Sequence, residues 1–217
     1  NRPIPSGRMP GNWGLKIALG MTVLALGLGW QLGIWGFIAT IIAALAAWAY
    51  SIEPIRLKRS GIWGPGLVGL CYEGIPWFTG AAVMLQAFPD LKIILVAIAY
   101  AIGAHGIMTL NDFKALKGDK ALGINSLPVQ LGPERAAKIA CYVMAIPQIL
   151  VITFLFAWGL NTFSIFVLLL LIGQIFAMRR LLSDPEKFAP WYNSTGVLMF
   201  VSGMMVCALG LSQAVAQ

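Results

Sequence analysis

Charge is scarce in this chain. Only 11% of its 217 residues are Asp, Glu, Lys or Arg, against roughly 25% in an ordinary globular domain, which excludes a fold whose surface is mostly solvated. Cysteine is scarce as well. Cys71, Cys141 and Cys207 stand singly in apolar sequence without a CxxC pair, so neither a disulfide framework nor a thiolate zinc site is indicated, and they read as small core residues. There is one histidine, His105, and no obvious His-carboxylate or Ser-His pairing. Acids are the rarer charge, 8 against 15 Lys and Arg. On so apolar a chain a +7 balance points to membrane topology rather than to nucleic acid.

Apolar sequence is what the chain has in abundance, with 59% hydrophobic residues and a mean hydropathy of +0.82. A membrane span needs about 20 such residues. That ruler predicts seven spans, at 13–31, 33–51, 62–83, 91–110, 135–158, 162–178 and 194–214, and hence an all-α polytopic bundle. The connections near Leu32 and Asn161 are short and uncharged, so spans one and two, and spans five and six, should form hairpins. No signal peptide or separate soluble domain is expected in the remainder. Small-residue spacing at Gly27 and Gly29 predicts close helix packing, and Pro76 and Pro147 fall inside spans that they should kink.

The loops alternate in charge. Arg2, Arg8 and Lys16 go with the start of the first span, Arg56, Lys58 and Arg59 follow the second, Lys114, Lys117, Lys120, Arg135 and Lys138 follow the fourth, and Arg179, Arg180 and Lys187 follow the sixth. Only Lys92 falls on the other side. The positive-inside rule makes the basic side cytoplasmic, with the N-terminus inside. Trp13, Trp48, Tyr50, Trp63, Trp191 and Tyr192 read as an aromatic belt at that interface, and Trp30, Trp35 and Trp158 as its counterpart.

Sidedness explains the cations and leaves the carboxylates unexplained. Their densest cluster follows span four, Asn111-Asp112-Phe113-Lys114-Ala115-Leu116-Lys117-Gly118-Asp119-Lys120. In one continuous helix Asp112 and Asp119 would share a face roughly 10 Å apart, too far to hold one hard cation. A helix end at Gly118 would turn the chain back and bring Asp119 toward Asn111 and Asp112. Acidic oxygens interleaved with lysines suit a magnesium-bound polyphosphate, although a solvated inner loop accounts for the same pattern. Tyr50-Ser51-Ile52-Glu53-Pro54-Ile55-Arg56-Leu57-Lys58-Arg59 forms a second basic group, readable as snorkelling cations or as the other half of a composite site. Within the spans, Glu73 lies about 11 residues from the inner end of span three, roughly 16 Å deep. His105 precedes Asp112 by seven residues, on the same helical face. Each fits an interior hydrogen-bonded group, and each also fits the wall of a cavity opening toward the aspartates.

These segments resemble the UbiA superfamily of intramembrane prenyltransferases, and within it the chlorophyll and bacteriochlorophyll synthase branch. Asn1-Arg2-Pro3-Ile4-Pro5-Ser6-Gly7 is similar to the segment after the family's first aspartate motif, and Tyr50 to Pro54 with Leu57 and Lys58 to the loop after its fourth helix. Asn111-Asp112-Phe113-Lys114 with Gly118-Asp119 resembles the second aspartate motif, and Asn125-Ser126-Leu127-Pro128-Val129 continues that match. The stretch Cys71 to Thr79 and the early His105 look more like the bacteriochlorophyll than the chlorophyll synthases. Beyond span five only hydropathy and span count carry the likeness.

The resemblance implies a nine-helix fold, so residues 1–217 are expected to be one membrane-embedded domain lacking its first two helices and first aspartate motif, and inactive alone. It implies esterification of bacteriochlorophyllide a by geranylgeranyl or phytyl diphosphate with Mg2+, in a bacterial inner membrane with the active site on the cytoplasmic face. Asp112 and Asp119 would hold the metal, Asn111 would assist, Lys114, Lys120, Lys58 and Arg8 would contact diphosphate, Tyr50 would bond at the reacting end, and Glu73 and His105 would line the pigment pocket. Two alternatives keep the membrane bundle. One is a UbiA-type enzyme acting on a quinone precursor or haem. The other is a non-catalytic subunit that delivers pigment to light-harvesting polypeptides or their assembly factors.

Overall fold

A computed structural model describes Ile4 and residues 6–215 of the chain. Asn1, Arg2, Pro3 and Pro5, which carry part of the N-terminal likeness and one inner cation, lie outside the described residues. Seven helical runs are long and apolar enough to cross a bilayer, as the hydropathy pattern predicts. The chain is an integral membrane protein.

Helices α1 (Asn12–Trp30) and α2 (Gly33–Ser51) form the first expected hairpin. Gly33 turns it at φ +81°, a left-handed conformation glycine adopts without a Cβ clash. Of the two glycines expected to pack closely, only Gly29 does so. A Cβ there would stand 2.5 Å from Thr40 Oγ1, whereas one on Gly27 would meet nothing within 4 Å.

The third span comes in pieces: α3 (Trp63–Gly69), a π-helical turn (Leu70–Gly74) and α4 (Ile75–Leu85). Pro76 supplies the reason. It has no N–H to offer the preceding turn, and the widened turn, closed by Ile75 N–H to the Leu70 carbonyl, absorbs that loss. Pro147, by contrast, sits inside an uninterrupted α8.

The central element is α5 (Leu91–Asp112), buried along most of its length and N-capped by Asp90, whose side chain accepts the Lys92 N–H. A 3-10 turn (Phe113–Ala115), α6 (Leu116–Ala121) and α7 (Leu127–Leu131) lead from it into α8 (Pro133–Ala157). The second hairpin, α8 to α9 (Asn161–Ser183), turns at Gly159, φ +77°. The last helix, α10, runs Pro185–Val215. Spans six and seven thus reach further than 162–178 and 194–214. A hydropathy window stops at Arg179, Arg180, Glu186 and Lys187, but a helix can carry charge once it enters the interface. There Arg180 lies over the rings of Trp191 and Phe188, at 4.4 and 4.9 Å, and pins the turn between α9 and α10.

The core packs α5 against α8 and α10. A Cβ on Gly106 would stand 2.5 Å from the Ala140 carbonyl oxygen, so that glycine sets how closely α5 and α8 approach. Tyr100 meets Phe200 edge-on at 5.1 Å. Cys141 and Cys207 are buried, Cys71 is half-buried, and all three are free, as their isolation in sequence suggests.

The sequence did not signal a buried polar chain across α8, α9 and α10. Gln148 Nε2 donates to Gln174 Oε1 at 2.8 Å, and Gln174 Nε2 donates to the Tyr192 hydroxyl at 3.0 Å. All three residues are fully buried, so Tyr192 belongs to the core and not to the interfacial belt.

Candidate functional site

The second aspartate cluster begins where α5 stops. The break falls at the 3-10 turn Phe113–Ala115, not at Gly118 as expected. Phe113 and Leu116 are buried on either side of the exposed Lys114 and Ala115, so the tightened turn sits between two core contacts before the glycine is reached. Gly118 lies within α6, and the reversal follows at Gly123, φ +64°. The expected turn back between the acids is not made: the chain stays helical from Asp112 to Asp119, and the reversal at Gly123 comes after both. Asp119 is buried, and Asp112 lies within electrostatic range of it. Among the described residues no cation within ion-pair distance answers either carboxylate.

The loop after α6 is fastened to the loop after α2. Ile124 N–H donates to the Asp119 carbonyl at 2.9 Å, and the next residue, Asn125, donates to the Arg59 carbonyl at 3.1 Å. Ser60 and Asn125 form a short parallel bridge. Gly61 permits this contact, because a Cβ there would stand 2.4 Å from the Leu127 nitrogen and 2.7 Å from the Asn125 oxygen. The two basic loops that looked separate in sequence are therefore one structure.

On the first of these loops Tyr50 is half-buried in the last turn of α2, and Lys58 is half-buried in the turn Leu57–Arg59. Glu53 pairs with Arg56 and with Arg59, the latter at 3.0 Å. The Arg56 guanidinium hydrogen-bonded to Glu53 holds its carboxyl below the usual carboxylate range. These pairs engage Arg56 and Arg59 and leave Lys58, with the exposed Lys114 and Lys120 of the second loop, outside any ion pair among the described residues. Arg8 lies in the exposed segment before α1, where its Nε donates to Ser6 Oγ at 3.1 Å. Asn111 is tied across the bundle, its Oδ1 accepting from Asn193 Nδ2 of α10 at 2.9 Å.

Glu73 and His105 do not share a cavity. His105 closes one end of an apolar cavity of about 730 Å3 between α2, α3, α4 and α5, lined by Trp35, Phe78, Ile98 and Ile102 among others. Its imidazole is already engaged. Nε2–H donates to the Ile62 carbonyl at 3.0 Å, and Nδ1 faces the Thr109 hydroxyl at 3.4 Å. Glu73, in the π-helical turn, lines a second cavity of about 800 Å3 against α10, with Trp77, Met204, Met205 and Ser212.

Among the described residues no three His, Cys, Asp or Glu side chains group to cage a metal. Two mutually repelling aspartates still fit magnesium, which takes one or two carboxylates and completes its shell with water and phosphate oxygens.

The profile of the UbiA prenyltransferase family matches residues 1–212. The chain is 64% identical over 211 residues to the bacteriochlorophyll synthase 33 kDa chain of Cereibacter sphaeroides, covering 97% of this chain and 70% of that one. It is 60% identical over 214 residues to the protein of the same description from Rhodobacter capsulatus, with the same coverage. Its fold matches a solved structure described as a digeranylgeranylglyceryl phosphate synthase, with a TM-score of 0.71 at 21% identity over 97% of this chain and 73% of that one. The chain belongs to the UbiA prenyltransferase family.

Proposed function

We propose that the chain transfers a geranylgeranyl or phytyl group from its diphosphate to the propionate of bacteriochlorophyllide a, with Mg2+, on the cytoplasmic face of a bacterial inner membrane. The acceptor follows from the 64% identity to a bacteriochlorophyll synthase chain. The observation that carries the site is the junction of the two loops through Arg59, Asn125 and the Asp119 carbonyl. It ties the stretch that carries Asp119, Lys114 and Lys120 to the loop that carries Lys58.

Asp112 and Asp119 would hold magnesium, which when bound neutralises charge on the diphosphate and helps it leave. Lys58, Lys114, Lys120 and Arg8 supply ammonium and guanidinium groups for the remaining phosphate charge, and Tyr50 a hydroxyl at the reacting end. Departure of diphosphate makes the allylic C1 carbocation-like, and the apolar bundle keeps water from it. A propionate is already ionised near neutral pH, so it attacks without a general base. The His105 cavity runs down the face of α5 that carries Asp112 seven residues on, and its apolar lining suits a prenyl tail. The Glu73 cavity, with Trp77 and one carboxyl, suits the body of the macrocycle and a polar substituent on it. His105 contributes as wall and helix tie rather than as a ligand.

Incubating the full-length protein with radiolabelled geranylgeranyl diphosphate and, separately, bacteriochlorophyllide, haem or an aromatic quinone precursor tests the acceptor. Label should pass to the bacteriochlorophyllide extract alone. Label in the quinone or haem extract would replace this reading with another activity of the family.

A further inference from the structure

The last helix sends one side chain to the aspartate cluster, and the buried polar chain fixes where it arrives. Gln148 on α8 holds Gln174 on α9, and Gln174 holds the Tyr192 hydroxyl at 3.0 Å. With Tyr192 fully buried, both the rotation and the axial position of α10 are set at that level. The next residue is Asn193. Its Nδ2 donates to Asn111 Oδ1 at 2.9 Å, and Asn111 immediately precedes Asp112. The same amide leaves its own Oδ1 buried and without a hydrogen-bond partner among the described residues, an acceptor of the kind that the water shell of a divalent cation satisfies. A polar group so placed at a helix-packing surface is normally paired at both ends.

We propose that Asn193 is a positioning residue of the magnesium and diphosphate site, acting through Asn111 to hold the end of α5 in the orientation that presents Asp112. This rests on the reading of Asp112 and Asp119 as metal ligands. Groups that orient metal ligands at one remove change metal affinity by about 10 to 100-fold when removed. The contact makes Asn111 a tie between α5 and α10.

The test is Mn2+ binding by the full-length protein with geranylgeranyl diphosphate and no acceptor, followed by electron paramagnetic resonance, with thermal stability measured in parallel. Asn193→Ala should weaken Mn2+ by about 10 to 100-fold, and in turnover assays it should raise the magnesium concentration for half-maximal rate more than it lowers kcat. Asn193→Leu, which keeps the volume in case the alanine variant does not fold, should show the same loss. In an Asn111→Ala background Asn193→Ala should add little. Asp112→Ala is the reference. If Asp112→Ala loses Mn2+ while both Asn193 variants bind it as the parent does, or if the Asn111 and Asn193 effects simply add, the role given to Asn193 is wrong and the site stands. If Asp112→Ala itself binds Mn2+ normally, the metal site is wrong.

Discussion

Gly61 is where the joining of the two loops can be broken with one atom. In Gly61→Ala the new Cβ would meet the Leu127 nitrogen at 2.4 Å and the Asn125 oxygen at 2.7 Å. Both are backbone atoms, so no side chain can swing aside. The loops must part by about 1 Å to reach ordinary van der Waals separation. Overpacking of this kind costs about 1–3 kcal/mol. Parting the loops also weakens the Asn125 to Arg59 hydrogen bond at 3.1 Å, for a further ~0.5–1.5 kcal/mol. The total of about 1.5–4.5 kcal/mol should appear as a lowered midpoint of thermal unfolding in detergent. The catalytic consequence should be larger than the loss of stability suggests. An ångström of misplacement in a positioned site is worth about 100-fold in rate, and here it separates Lys58 from the loop of Asp119. Ester formation measured by mass spectrometry at temperatures where the variant remains folded separates the two effects. A Gly61→Ala protein with the parent's melting midpoint and rate would refute the claim that these loops work as one unit.

Four further outcomes follow from the same geometry. Gly118→Ala should be neutral or stabilising by about 0.5–1 kcal/mol, since Gly118 is helical and a Cβ there meets nothing within 4 Å; a large loss of stability would put the chain reversal back at Gly118. Gln174→Leu should destabilise by about 0.6–1.7 kcal/mol, the range for hydrogen bonds between membrane helices, because it leaves Gln148 Nε2 only the Met144 carbonyl and takes the donor from the Tyr192 hydroxyl; an unchanged unfolding midpoint would show that the polar chain is idle. Glu73→Leu should raise KM for the pigment while leaving diphosphate binding unchanged, and equal effects on both substrates would mean that the Glu73 cavity is not the macrocycle's. For pH, Glu53 has a depressed folded-state pKa, so its contribution is present above its ordinary pKa and lost as pH falls through the folded value. Glu53→Gln should therefore differ slightly from the parent near neutrality and converge with it in acid, and a difference that grows on acidification would reverse the sign.

Fold class, span count and both hairpins were legible in the sequence because lipid imposes long apolar runs and the turns are short. The ends of α9 and α10 were not, since Arg179, Arg180, Glu186 and Lys187 stop a hydropathy count without stopping a helix. The expected return of Asp119 to Asp112 is not made, because the helical run continues past both acids to Ala121. Gly118 looked like the breaker in sequence, whereas the 3-10 turn falls at Phe113–Ala115, between the buried Phe113 and Leu116, whose burial is a tertiary effect. The partners that cross the bundle were missed altogether. Asn193 stands 82 positions from Asn111, and Gln148 and Gln174 are uncharged residues in apolar runs, where attention goes first to ionisable ones. The separation of Glu73 from His105 was equally hidden, as it depends on how the π-helical turn at Leu70–Gly74 rotates the rest of the span.

The most direct measurement supplies the full-length protein in membranes with bacteriochlorophyllide a, geranylgeranyl diphosphate and magnesium, and looks for the ester by mass. The account predicts a magnesium-dependent ester that is lost on chelation and falls by at least about 100-fold in Asp112→Ala, the scale of losing one main source of transition-state charge stabilisation. No ester from the parent protein, or an ester undiminished in Asp112→Ala, would contradict it.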